Sequence, residues 1–544
     1  MVLGEPGAEL LAEVVSHAQK TVHCFLVDGT GLGFWRVATT DPDRVAIVDA
    51  DGRVLTYGEL LEHSRAIVRG LHALGLRRGD AFAVILPNHR TFLGAWLAAM
   101  ESGFYFVPVN SHLAPAEAAY VVSNSEARVL VGHEALADLS RAAAAEAGID
   151  LAHRFAVGDL EGFRPFTDLN RWPPGPQPPR SPGMVMMYTS GTTGRPKGVR
   201  RPLPEGDPDD VAGSTATVFC QGFGITVDHG VHLACGPMYH AGPFVGVTNA
   251  LHAGHTVVIM RQWSAEQFLE LVERHHVTNT QMVPTMFVRL LALPEEKRAA
   301  ADVTSVESIF HTGAPCPVDV KQRMMEWFGP VVYETYGGTE GAATIATPKR
   351  WLEKPGTVGR PIVGAVVKIL DDDGNELPIG EAGSIYIGSA RHETAEYFKD
   401  AAKSASIRRG SLVTLGDVGY FDDDGFLFLC DRKIDMIISG GVNIYPAEVE
   451  ACLLAHDAVA DVAVIGVPDD DWGESVKAIV EPDPGFVAGP ALAEALVEHC
   501  RERIARFKCP RSIDFLDVLP RLPNGKIEKR RLREPYWAGR ERAI

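Results

Sequence analysis

The chain has few cysteines for its length, and none arranged for metal or redox chemistry. Its eight cysteines (24, 220, 235, 316, 430, 452, 500 and 509) form no C-x-x-C pair and no zinc-ligand spacing. Scattered single thiols exclude a disulfide scaffold and point to reduced core residues in the cytoplasm. No apolar run reaches the roughly 18 residues of a membrane span, which excludes an integral membrane segment. The first residues, Met-Val-Leu-Gly-Glu-Pro-Gly-Ala-Glu, lack the basic start and apolar stretch of a secretion signal. Basic excess is absent too. A net charge of −18 argues against nonspecific nucleic-acid binding and against docking on anionic lipid. An anionic small substrate would therefore have to meet a locally positive site.

What is present is a soluble globular composition, 46% hydrophobic and 22% charged over 544 residues. That length exceeds a single core, so two or more domains are expected. Between about residues 44 and 340, strand-like segments alternate with helical periodicity. Val45–Val48, Ala81–Asn88, Phe104–Asn110, Arg128–Gly132, His255–Met260 and Asn279–Val283 read as strands. Thr56–Leu74, Thr91–Ser102, Ala114–Ser123 and Ser264–His275 read as helices, the last with a Ser264 cap. Residues 7–19 read as a further short helix. The alternation implies parallel sheets covered by helices.

Residues 172–182 hold six prolines in eleven positions and read as an extended connector, with a polar surface excursion over 201–214. Beyond 360 the texture becomes antiparallel. Asp-Gly turns in 366–377 and 419–429 predict hairpins, and 383–388 adds a strand. From about 433 a small α/β domain follows, with helices at Pro446–Leu454 and Pro490–Arg503. The expected class is thus α/β. A large N-terminal domain (1–432), with an antiparallel, barrel-like part at about 360–430, precedes a small mobile C-terminal domain (433–544).

The most informative stretch is Tyr188-Thr-Ser-Gly-Thr-Thr-Gly-Arg-Pro-Lys-Gly-Val199, which follows the apolar Met184–Met187. Glycines let backbone N–H groups converge on phosphate, and Arg195 and Lys197 add positive charge. It is not a Walker loop, because Gly191 and Gly194 enclose two residues and Pro196 precedes Lys197. Further pieces lie at strand ends, where ligands of open α/β sheets bind. They are Pro237-Met-Tyr-His-Ala-Gly242, His311-Thr-Gly-Ala-Pro315 and Tyr336-Gly-Gly-Thr-Glu340. Gly416-Asp417, Asp431-Arg432, Ser439-Gly-Gly441 and the basic Pro520–Arg531 follow. Taken singly, each has an ordinary structural explanation as a turn, a solvated carboxylate or a surface tail. Their order sets them apart.

In that order they resemble the adenylate-forming enzymes, the group of acyl-CoA synthetases, luciferases and adenylation domains. The resemblance implies ATP, Mg²⁺ and CoA as ligands of an acyl-CoA synthetase. It implies that Thr189, Ser190, Gly191, Thr192, Thr193, Gly194 and Lys197 hold ATP phosphates, with Thr189 and Glu340 near Mg²⁺. Gly313, Ala314 and Pro315 line the adenine, Tyr336 stacks on it, and Gly337 and Thr339 lie along the α-phosphate. Asp417 and Arg432 take the ribose. Lys526 bridges carboxylate and α-phosphate, and Gly440 and Gly441 line the pantetheine path. His240 gates the carboxylate end of the acid. Lys529, Arg530 and Arg531 read as surface.

One position departs from the resemblance: the hinge, usually Asp or Lys, is Ile434. Small apolar residues around Tyr239–Phe244 and Val283–Phe287, without a facing cation, suggest a fatty or bulky alicyclic monocarboxylic acid. The alternative, an adenylation enzyme loading a carrier protein with an amino or aryl acid, lacks an Asp within Met238–Gly242 for a substrate ammonium. Partners are small molecules, and a homodimer is left open.

Overall fold

A computed structural model describes residues 32–172, 175–189, 196–389, 396–440, 442–521 and 527–538. The helix expected over 7–19 falls outside them. The described residues divide into two compact units. One comprises those of Met1–Met282, Leu293–Phe310 and Tyr397–Lys399, and the other those of Val283–Ala292, His311–Glu396 and Asp400–Ile544.

The first unit holds the alternating pattern. One sheet runs Arg164–Pro165, Arg154–Val157, Ala127–His133, Ala81–Val84, Tyr105–Pro108, Met184–Val185, with every pair parallel. In a second, Asn279–Met282, Val231–Ala234, Thr256–Ile259 and Val45–Val48 are neighbours in that order, and Val54–Thr56 closes the edge antiparallel to Val45–Val48. Helices Tyr57–Ala73, Arg90–Ser102 and Ala241–His252 fill the core with aromatic packing. Phe244 sits 5.7 Å from Trp96, 6.1 Å from Phe92 and 6.2 Å from Phe106, ring centre to ring centre. Burying one such ring is worth about 2 kcal/mol. This cluster anchors the helix that begins immediately after His240.

Local signals set the helix starts. Thr56 accepts from the Glu59 N–H while the Glu59 carboxylate accepts from the Thr56 N–H, a reciprocal cap. Ser264 caps Ala265–His275 through the Gln267 N–H, as its sequence indicates. The surface excursion expected over 201–214 is corrected here, since Pro208–Phe223 is a helix. Asp207 accepts from the Asp209 N–H, Pro208 opens the first turn, and Asp209 and Asp210 complement the helix dipole. The acidic cluster that reads as solvated loop is a helix start. Met184–Met187 is also not one strand. Met184–Val185 belongs to the parallel sheet, whereas Met187–Thr189 pairs with Lys197–Arg200.

In the second unit, antiparallel pairing begins earlier than the texture change suggests. Val332–Gly338, Gly341–Ala346, Thr357–Pro361, Leu427–Arg432, Leu412–Phe421, Gly383–Ser389 and Ala365–Leu370 are successive neighbours. The turn after Leu370 carries a single bridge to Glu376; the strand's long partner is Gly383–Ser389. A separate five-stranded sheet has Gly473–Pro482 at its centre, with Ser512–Phe515 parallel to it. Helices Pro446–Leu454, Pro490–Arg503 and Lys529–Trp537 belong to this part. Among the described residues no helix is long and apolar enough to cross a membrane. The class is therefore mixed α/β, as expected.

Buried Asn88 ties two strand ends together. Its amide donates to the carbonyls of Gly236 (2.9 Å) and Met260 (3.0 Å), and its oxygen accepts from the Met238 N–H (2.9 Å). Asn88→Ala leaves three buried backbone groups unpaired, so a loss of roughly 2 kcal/mol or more is expected, read as a lower urea midpoint. An unchanged midpoint would show that this tie is dispensable.

Candidate active site

In the first unit, the phosphate-loop stretch is a hairpin. Thr189 stands opposite Lys197, Tyr188 opposite Gly198 and Met187 opposite Val199. The strands thus deliver a hydroxyl and a cation to the two feet of one loop. Ser190, Gly191, Thr192, Thr193 and Gly194 lie outside the described residues. The feet are firmly held. Tyr188 donates to the Asn124 side chain (2.7 Å), the Lys197 ammonium lies 5.5 Å from the Tyr397 ring centre, and the Phe398 N–H donates to the Gly198 carbonyl (2.8 Å).

His240 occupies the residue before helix Ala241–His252 and makes no side-chain cap to it. Its half-buried ring packs edge-on to Tyr239 at 4.6 Å. Burial pushes the Tyr239 phenol up to about 12. The Asn88 tie fixes the turn just upstream, so the Tyr239–His240 pair is delivered by rigid backbone.

The second unit carries the densest group. Tyr336 donates to Asp417 Oδ2 at 2.9 Å, and Arg432 Nε lies 3.4 Å from Asp417 Oδ1. Asp417 and Arg432 are register partners on adjacent strands, which explains why Gly416-Asp417 and Asp431-Arg432 recur as separate short signals. Burial, then the Asp417 charge, push the Tyr336 phenol far above its ordinary value, so it stays a donor. The phenol and the guanidinium together hold the Asp417 carboxylate in one orientation.

Thr339 and Glu340 are the two residues between paired Gly338 and Gly341, at the tip of an antiparallel hairpin. Sequence placed them at a strand-to-loop exit; the chain instead turns straight back. A register shift between Tyr336 and Gly337 bends the strand below this tip, the usual effect of a bulge. A Cβ at Gly338 would lie 2.7 Å from Glu340 Oε2 and 3.1 Å from Leu415, so a larger residue there would push the Glu340 carboxylate aside. Gly313 has φ +89° in a loop whose Gly313 and Pro315 are exposed and Ala314 half-buried. Its open backbone is available to a flat ligand edge. Among the described residues no three His, Cys, Asp or Glu side chains are grouped to hold a metal. A lone carboxylate such as Glu340 suits Mg²⁺ that arrives with phosphates and keeps its waters.

Gly440 (φ +59°) donates its N–H to the Trp472 carbonyl at 2.8 Å. A Cβ there would come 2.5 Å from the Trp472 ring, so only glycine lets the indole lie against this backbone. The indole is 48% exposed, and the Arg511 guanidinium lies 5.0 Å from its ring. Sequence reasoning missed Trp472; an isolated Trp-Gly in an acidic turn was its only signal. Gly441 and Lys526 lie outside the described residues.

The basic tail corrects one expectation. Lys529 is not surface: its ammonium lies 2.8 Å from Glu450, with side chains 16% and 17% exposed. Arg533 donates to the Ile434 carbonyl (3.3 Å) and to Asp435 (3.3 Å), so helix Lys529–Trp537 grips the segment around the expected hinge. Ile434 itself is 41% exposed.

Residues 34–398 match the AMP-binding enzyme family, and residues 448–526 match the AMP-binding enzyme C-terminal domain. The chain belongs to the AMP-binding enzyme family. It is 32% identical to a 2-succinylbenzoate–CoA ligase of Bacillus licheniformis, over 91% of this chain and 98% of that one. It is 33% identical to a feruloyl-CoA synthase of Amycolatopsis, over 93% and 99%. The o-succinylbenzoate CoA synthetase of Bacillus subtilis, solved with an acyl-adenylate intermediate, superposes with a TM-score of 0.76. Identity there is 28%, over 92% of this chain and 97% of that one. With likeness of this extent, the chain is an adenylate-forming enzyme that ligates an acid to a thiol.

One electrostatic consequence follows from the grip on the hinge segment. Burial raises the Asp431 carboxyl to about 6, against the pull of Lys529 and the Ala447 N–H. A carboxyl whose folded pKa exceeds the unfolded value of about 4 favours the fold while protonated. That contribution is full below about pH 4 and is lost as pH rises through about 6. Asp431→Asn should therefore flatten this part of the stability profile, measured as melting temperature from pH 4 to 7. Parallel profiles for the two proteins would contradict it.

Proposed function

We propose that this ligase activates a carboxylic acid with ATP and transfers the acyl group to CoA. The observation that carries the reading is the Tyr336–Asp417–Arg432 group beside the hairpin tip Thr339–Glu340. It joins a buried aromatic ring, a carboxylate held between a phenol and a guanidinium, and an Mg²⁺-suited carboxylate within one antiparallel sheet. Those are the components that a ribonucleotide triphosphate requires.

A carboxylate oxygen attacks the α-phosphorus of ATP, the bond to the bridging oxygen breaks, and pyrophosphate leaves. The thiol sulfur of CoA then attacks the carbonyl carbon of the acyl-adenylate. The bond to AMP breaks, and the thiol proton passes to solvent. The protein's task is to position these groups and to offset charge on phosphate. In our reading Tyr336 and Gly313–Pro315 hold adenine, and Asp417 and Arg432 hold ribose. Gly337 and Thr339 lie along the α-phosphate. Thr189, Lys197 and the residues 190–194 between them hold the β- and γ-phosphates. Glu340 and Thr189 would hold Mg²⁺, which when bound offsets phosphate charge. Lys526 bridges the acid and the α-phosphate. Gly440, flanked by Trp472, and Gly441 present backbone to the pantetheine arm.

His240 gates the carboxylate and is not a base, since an ionised acid has no proton to surrender. The small C-terminal domain begins at about 432 and moves about the segment that Arg533 grips. Free thiols among the described residues, five of them buried and Cys316 and Cys430 half-buried, support a cytoplasmic setting.

For the acid itself, the small apolar residues in the stretches Tyr239–Phe244 and Val283–Phe287 support a monocarboxylic acid with a fatty or alicyclic body. The relatives named for succinylbenzoate and ferulate favour a second reading, an aryl acid. Pyrophosphate release across fatty, alicyclic and aromatic acids, with ATP, Mg²⁺ and CoA, separates the two. Lys526→Ala is expected to cut acyl-adenylate formation by at least about 100-fold while sparing thioester formation from supplied adenylate. Equal loss of both steps would remove Lys526 from this role.

A further inference from the structure

A buried charge group brackets the loop that our reading assigns to adenine. His311, fully buried, is the last residue before the loop 312–317. Lys321, also fully buried, lies in the opening turns of helix Val318–Phe328, just after it. Glu334, 7% exposed, lies on the strand that carries Tyr336. The Lys321 ammonium donates to Glu334 Oε2 at 2.9 Å and lies 4.7 Å from the Trp351 ring centre. His311 Nε2 stands 3.4 Å from the same carboxylate oxygen. One carboxylate oxygen therefore faces both ends of the loop.

Strand geometry adds the link to the nucleotide. Residues two apart share a face, and along Val332–Gly338 the buried positions are 332, 334 and 336. Glu334 and Tyr336 are thus neighbours on one face of one strand. Burial alone would raise the Glu334 carboxyl, yet facing His311 and Lys321 hold it down, to about 2. Burial pulls the His311 imidazole below its ordinary value while Glu334 opposes that shift, so the group is a Lys321–Glu334 ion pair with a histidine against it. Such a pair is a poor source of net stability, because removing both charges from water costs about what their attraction returns. What it supplies is direction: apolar packing would hold these elements together without fixing their register.

We propose that His311, Glu334 and Lys321 are positioning residues that set the spacing between loop 312–317 and Tyr336, and so the width of the adenine slot. This rests on the reading that Gly313–Pro315 and Tyr336 hold adenine. The three side chains need not touch the nucleotide. They determine where the groups that do touch it stand.

The test uses Lys321→Met with Glu334→Leu, a paired replacement that keeps the volume buried and removes both charges together. Its melting temperature should stay near that of the wild type. The KM for ATP should rise about tenfold or more, and preference for ATP over GTP should fall in proportion. KM for the acid should stay within about twofold. Native ATP KM and native ATP/GTP preference would overturn the inference and leave the adenine site intact. If Tyr336→Ala and Gly313→Val also left the ATP KM unchanged, the adenine assignment itself would fall. Should the paired variant melt early, Lys321→Gln with Glu334→Gln keeps both shapes and polarity and removes both charges together. The same ATP-specific shift is expected from it, and a wild-type ATP profile would overturn the inference equally.

Discussion

The Asp417 carboxylate is the constraint on which the proposed nucleotide face depends. It is shared by a phenol from Val332–Gly338 and a guanidinium from Leu427–Arg432, two strands that are not neighbours in the sheet. The phenol must remain protonated to donate, and burial beside a carboxylate ensures that it does. With those partners fixed, Asp417 cannot swing into solvent, and its remaining lone pairs have a defined direction. Ribose hydroxyls would be read by geometry rather than by attraction alone. Lys321 and Glu334 apply similar logic one layer deeper, where an ion pair joins the start of helix Val318–Phe328 to the strand that carries Tyr336.

Much of this was legible in the sequence because it is local. The α/β alternation follows from hydrophobic period, and helix Pro490–Arg503 has the expected limits because Pro490 opens it and apolar spacing runs to its end. The phosphate hairpin is foreshadowed by an apolar strand running into hydroxyls and glycines. Asp417 and Arg432 could be singled out by order alone, but their pairing across two strands is a matter of register, which no short motif contains.

The charged residues that the structure corrects share one cause. Charge in a sequence does not by itself mean solvent exposure. Asp207–Asp210 opens a helix, Lys529 is half-buried against Glu450, and Lys321 is fully enclosed although its sequence carries no sign of it. Each has a partner distant in sequence or a backbone group waiting to be capped, and a linear reading sees neither. Trp472 was missed for the same reason, since its meaning lies in the Gly440 backbone beneath it.

The central claim is that the acid's own oxygen attacks the α-phosphorus. The direct measurement is a complete reaction with a carboxylic acid labelled with oxygen-18 in its carboxylate, followed by mass analysis of the nucleotide and pyrophosphate. One labelled oxygen is expected in AMP and none in pyrophosphate. Label in pyrophosphate or inorganic phosphate, or ADP as the nucleotide product, would contradict the account.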